Sequence, residues 1–116
     1  MRVPIWLLGL TLLATAAACG GAAAPAGGQP VAVTVKEWSI TPAKLAAKAG
    51  TVTFLVKNGG SIEHDFAIEG VGKLETIIAG DSKPLTVTLA PGTYTILCTL
   101  SGHKEAGMHG TLVVSP

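Results

Sequence analysis

From Val31 onward, apolar side chains recur at every second position. Val31, Val33 and Val35 alternate with Ala32, Thr34 and Lys36; Val52, Phe54 and Val56 with Thr51, Thr53, Leu55 and Lys57; Leu85, Val87 and Leu89 with Thr86, Thr88 and Ala90. Successive side chains of an extended strand point to opposite faces, so this period predicts half-buried strands rather than helices. Turn signals at short spacing separate the runs: Ala49-Gly50, Asn58-Gly59-Gly60-Ser61, Gly70-Val71-Gly72, Gly80-Asp81-Ser82, Pro91-Gly92 and Gly107. Only Pro42 to Lys48 has a helix-compatible composition, and it is short enough to be a turn or an irregular connection instead. The pattern predicts an all-β domain over residues 31–116, a Greek-key antiparallel β-sandwich of about seven or eight strands. That length closes one core without disulfides.

The N-terminal region has a different pattern. Arg2 is the only charge before Lys36, and it precedes the apolar run from Ile5 to Leu13 and the small residues Ala14 to Ala18. Residues 1–18 therefore read as an export signal. Their apolar stretch is shorter than the roughly 20 residues a bilayer-spanning helix needs. Small residues followed by Cys19-Gly20-Gly21 resemble the lipobox of bacterial lipoproteins, in which the cysteine is diacylated and becomes the new N-terminus. The position three before the cysteine usually carries Leu there and carries Ala16 here. Ala16-Ala17-Ala18 also fits the small-x-small rule of ordinary cleavage, which would leave a free secreted chain with an unpaired thiol. Both readings place the protein in the periplasm or on the outer face of the cytoplasmic membrane; the first adds a membrane attachment through Cys19. Residues 19–30 carry no charge, no periodicity and no large side chain, as expected of a flexible tether.

This division changes what the composition means. Apolar residues make up 48% and charged residues 13%, a membrane-like balance until the leader and the alanine-rich tether are set aside. The formal charge is +1, and loss of Arg2 leaves seven basic and seven acidic side chains. A neutral domain has no basic surface for nucleic acid and no strong field to steer a partner. A monomer that docks briefly is the expectation.

The candidate chemistry lies on two core faces. His64 shares a strand face with Phe66 and Ile68, whereas Glu63, Asp65, Ala67 and Glu69 lie opposite; Cys98 shares a face with Tyr94 and Ile96. With Cys19 in the tether, Cys98 has no partner in the domain, although exported proteins ordinarily use cysteine in pairs. The loop after it reads Cys98-x4-His103-x4-Met108, and Met108 is the only methionine besides the initiator. Singly, an inward His is commonly a satisfied core residue, a buried Cys a small hydrophobe and a Met a gap-filler. Together, two imidazoles, a thiolate and a weak thioether suit a copper ion cycling between Cu(II) and Cu(I), nitrogen satisfying the harder ion and sulfur the softer. A closed structural zinc site does not use a thioether as fourth ligand. One loop cysteine is too few for a binuclear copper centre. His109 follows Met108 directly and alternates away from it, so it reads as a surface residue beside the site.

The segments Gly92 to Cys98 and Gly102 to Leu112 resemble the copper loop of the plastocyanin/azurin family of cupredoxins, with the Cys-to-His and His-to-Met spacing of its auracyanin and rusticyanin types. Asn58 to Phe66 is similar to the family's stretch around its first histidine, and the likeness covers Val31 to Pro116. It implies one mononuclear type 1 copper held by His64, Cys98, His103 and Met108, with Asp65 and Thr99 just beyond these ligands. Many members carry Asn where this chain has Asp65. The implied activity is single-electron transfer, not enzymatic catalysis, with a redox donor and acceptor docking near His103 over a rim kept small by Gly102, Ala106, Gly107 and Gly110. Two alternatives use the same residues: a copper carrier that releases the ion, and a thiol-based redox protein acting through an exposed Cys98. For the N-terminus, mass spectrometry of the mature protein should show a chain starting at a diacylated Cys19. An unmodified Cys19 would refute the anchor.

Overall fold

In the computed structural model, the structure describes residues 28–116. The leader and residues 19–27 of the tether, the lipidation candidate Cys19 among them, lie outside the described residues, whereas Gln29 and Pro30, expected in the tether, are the first two residues of a strand because they pair with Val52 and Thr53. Nine strands follow in order: β1 (Gln29–Lys36), β2 (Ser39–Thr41), β3 (Lys44–Lys48), β4 (Gly50–Asn58), β5 (His64–Ile68), β6 (Gly72–Ile77), β7 (Ser82–Leu89), β8 (Gly92–Leu97) and β9 (His109–Ser115), with one short helix, α1 (His103–Ala106), before the last. They form two sheets with strand orders β2-β1-β4-β7 and β3-β9-β8-β5-β6. The Glu37–Trp38 and Thr41–Pro42 peptides are cis.

The sandwich expected from the period-two pattern is present, and each sheet also contains one parallel pair, β1 with β4 and β3 with β9. The chain leaves the first sheet after β2, adds β3 to the second, and returns as β4 beside β1. Pro42 to Lys48 is neither helix nor irregular connection. It contains β3, whose Leu45 and Ala47 are buried and whose ladder to β9 runs from Lys44 opposite Thr111 to Lys48 opposite Ser115. The helix-favouring Ala, Leu and Lys yield to a neighbouring strand that supplies hydrogen bonds and covers one face. Gly110 is required at this crossing. Thr111 N–H donates to the Ala43 carbonyl at 2.9 Å, and a Cβ on Gly110 would run into that same oxygen.

The alternating residues meet between the sheets. Val33, Val35, Val52, Phe54 and Val56 from the first pack toward Phe66, Ile68, Ile96, Leu112 and Val114 from the second, all buried. Phe54 and Phe66, each fully buried, lie with ring centroids 5.8 Å apart and join the two layers. Register brings the start of β5, the end of β8 and the start of β9 to one end of the second sheet, since Ala67 pairs with Leu97 and Leu97 with His109. Next to that end, between the His64–Ile77 and Phe66–Leu74 pairs, Glu75 and Thr76 of β6 oppose the single residue Asp65, which makes a bulge in β6 beside the start of β5. Truncation of Phe54 to Ala should cost about 3–5 kcal/mol. Urea unfolding should show a lower midpoint with an unchanged m-value.

Candidate metal centre

His64 opens β5, Cys98 follows the last residue of β8, and His103 opens α1. Each offers one ligand atom, and the three atoms lie within 4.8 Å of one another. His64 Nδ1 is 3.2 Å from His103 Nδ1, which is 3.4 Å from Cys98 Sγ. His64 and Cys98 have no solvent exposure, whereas His103 is half-buried. Met108 is also fully buried. Its backbone closes the loop: the Cys98 amide donates to the Met108 carbonyl at 3.0 Å, and the Met108 amide donates to the His103 carbonyl at 3.1 Å. Between them, Gly102 starts α1 with φ 81° and Gly107 ends it with φ 127°. Gly107 is needed twice over, because a Cβ there would also sit 2.7 Å from the Trp38 carbonyl oxygen.

Asp65 and Thr99 are bonded to each other. Asp65 Oδ1 accepts the Thr99 amide at 2.6 Å and its other oxygen accepts the Thr99 hydroxyl, while Lys73 Nζ lies 3.5 Å away. The Asp65 side chain, on the face opposite His64, is thus buried but paired, and it ties β5 to the first residue after Cys98. The Asp65 amide points at Cys98 Sγ, 3.5 Å off. Burial pushes the Cys98 thiol above its ordinary pKa; the amides of Asp65 and Leu100 oppose the shift, and the Asp65 charge adds to it.

Two neighbours of the site did not emerge from the sequence reading. Glu37, in the turn between β1 and β2, accepts hydrogen bonds from the Ser61 and Ile62 amides and lies 2.7 Å from His64 Nε2. Trp38, 47% exposed, sets its ring edge-on to His103 at 5.0 Å and to His64 at 6.5 Å. Exposed Trp38 therefore stands beside His103 in addition to the small residues expected there, and Gly110 also serves the strand crossing. Neither Glu37 nor Trp38 belongs to a motif around the candidate ligands; only the fold of the β1–β2 turn over the other sheet's end brings them in. His109 is exposed, one position beyond Met108.

The family of cupredoxin-like domains matches residues 9–114, most of the chain. The chain belongs to that family. A 39-residue stretch of this cupredoxin, 33% of its length and 17% of the relative's, is 56% identical to auracyanin-B of Chloroflexus aurantiacus. Dithionite-reduced auracyanin from Roseiflexus castenholzii is similar with a TM-score of 0.71 and 22% identity, over 78% of this cupredoxin and 99% of that chain. Auracyanin A of Chloroflexus aurantiacus, described as a "blue" copper protein, gives a TM-score of 0.62 and 21% identity, over 74% of this cupredoxin and 99% of that chain. At such identities the structural likeness shows the shared fold.

The Glu37 contacts carry a pH dependence. Hydrogen bonds from the Ser61 amide first, then from His64 and the Ile62 amide, hold its carboxyl down at about 2 against an ordinary 4.5, although partial desolvation opposes them. A lowered carboxyl pKa stabilises the folded state fully above the unfolded value and loses that effect as pH falls toward the folded one. Wild type should therefore exceed Glu37→Gln in thermal midpoint above about pH 4.5, with the gap closing toward about pH 2. A constant gap would contradict the assignment.

Proposed function

We propose that this cupredoxin is a blue (type 1) copper protein that carries single electrons between redox partners outside the cytoplasm. The convergence of His64 Nδ1, Cys98 Sγ and His103 Nδ1 within 4.8 Å carries the reading. Two imidazole nitrogens and a thiolate, with the buried thioether of Met108 in the same loop, form a donor set that fits copper in both oxidation states. A copper ion bound there would supply a one-electron Cu(II)/Cu(I) couple.

The residues divide the remaining work. His64 and Cys98, at strand ends and fully buried, hold their donor atoms against rearrangement. Asp65 stiffens the loop through both of its bonds to Thr99. His103, half-buried, brings a ligand edge toward the surface, and exposed Trp38 beside it enlarges the apolar area that a partner would meet. A weakly charged apolar contact favours brief docking of a monomer to its donor and acceptor. The role is that of a carrier rather than an enzyme. The leader would export the chain, and Cys19 would anchor it at the membrane.

The alternatives fit the geometry less well. The Cys98 thiol is buried and its pKa is raised, so at neutral pH it is protonated and shielded, unlike a redox-active or nucleophilic thiol. A copper carrier would need ligands easy to reach, and two of the three converging donors have no exposure.

Addition of Cu(II) to the metal-free protein should produce an intense thiolate-to-copper band in the visible spectrum. The band should vanish in Cys98→Ser and persist in His109→Ala. Its absence in wild type would overturn the reading.

A further inference from the structure

Glu37 Oε1 has three polar neighbours: the Ser61 amide at 3.1 Å, the Ile62 amide at 3.1 Å and His64 Nε2 at 2.7 Å; Oε2 takes a second contact from the Ser61 amide at 3.0 Å. Backbone amides only donate, so both oxygens act as acceptors, and the hydrogen of the third contact belongs on Nε2. A neutral imidazole protonated at Nε2 carries its lone pair on Nδ1. That is the His64 atom that faces His103 and belongs to the converging donor group. The surroundings leave the carboxylate little freedom. A Cβ on Gly60 would collide with it, and Asn58 pins the same loop by donating to the Ile62 and Ile77 carbonyls at 2.8 and 2.7 Å while accepting from the Gly60 amide at 2.9 Å.

We infer that Glu37 is the positioning residue for His64: its carboxylate holds the Nε2–H tautomer, presents Nδ1 to the metal, and favours Cu(II) over Cu(I). The last effect follows from charge. A carboxylate hydrogen-bonded to a ligand imidazole makes that imidazole more basic, and the negative charge attracts the doubly charged ion more than the singly charged one. A backbone carbonyl in the same place would orient the ring without that full charge. This inference rests on the copper reading of the site for its redox half, but not for its tautomer half.

The test has two readouts on the mature chain. In the metal-free protein labelled with 15N-histidine, NMR at a pH high enough to keep the imidazole neutral should show His64 protonated at Nε2 and bare at Nδ1, and Glu37→Ala should mix the two tautomers. In the copper-loaded protein, Glu37→Gln keeps the shape of the side chain and removes its charge. Competition with chelators for each oxidation state should then show Cu(II) affinity falling about tenfold more than Cu(I) affinity, within the range outer-shell partners command. That ratio corresponds to a rise of about 59 mV in the one-electron potential. A neutral wild-type His64 with its proton on Nδ1 would overturn the inference, as would a Glu37→Gln protein with lower stability but an unchanged Cu(II)/Cu(I) affinity ratio. Failure of the copper reading itself is distinguishable: wild type would give no thiolate-to-copper band, while the tautomer of the metal-free protein would still be readable.

Discussion

The hydrogen bond from the Cys98 amide to the Met108 carbonyl, 3.0 Å long, is the contact on which the rest of the site depends. It continues the β8–β9 ladder one step past Leu97 and His109, so the loop that bears three of the four candidate ligands is closed at its base by the sheet itself. Inside that closure, the Met108 amide reaches the His103 carbonyl and the His103 amide reaches the Leu100 carbonyl. The loop is thus largely satisfied by its own backbone, which limits how far His103 and Met108 can move relative to Cys98. The spacing of the loop's backbone at Cys98, His103 and Met108 is thus set by sheet pairing and by the loop's own hydrogen bonds.

Two carboxylates brace the site from different directions, Asp65 at the loop and Glu37 at His64. Asp65 fastens β5 to Thr99, directly after Cys98, and Lys73 lies near enough to offset its charge. Glu37 fastens the β1–β2 turn to the loop before β5 and to the far nitrogen of His64. Each carboxylate has its oxygens occupied by donors, which is the condition for keeping charge near a low-dielectric site. Their placement gives each ligand strand its own brace.

The strand pattern and the ligand loop could be read without a structure because they depend on local rules. Alternation in Val31 to Val35 and in Val52 to Val56 follows from the pleat, and the spacing of Cys98, His103 and Met108 lies within one connection. Pro42 to Lys48 resisted that approach. Its local preferences point away from a strand, and only the ladder to β9 overrides them. Asp65 was visible as a neighbour of His64, but its pairing with Thr99 spans two strands.

By itself, the sequence determined the period of the strands, the presence of Cys98 without a second cysteine in residues 31–116 and the set of side chains able to hold copper, because these are matters of residue type and short-range spacing. Tertiary structure alone decided the parallel neighbours of β1 and β9, the convergence of His64 with the Cys98 loop, and the arrival of Glu37 and Trp38 at the imidazoles. Those features depend on which strand lies beside which and on how a turn of one sheet folds over the end of the other. Contacts between residues far apart in the chain are set by packing, and no local pattern encodes them.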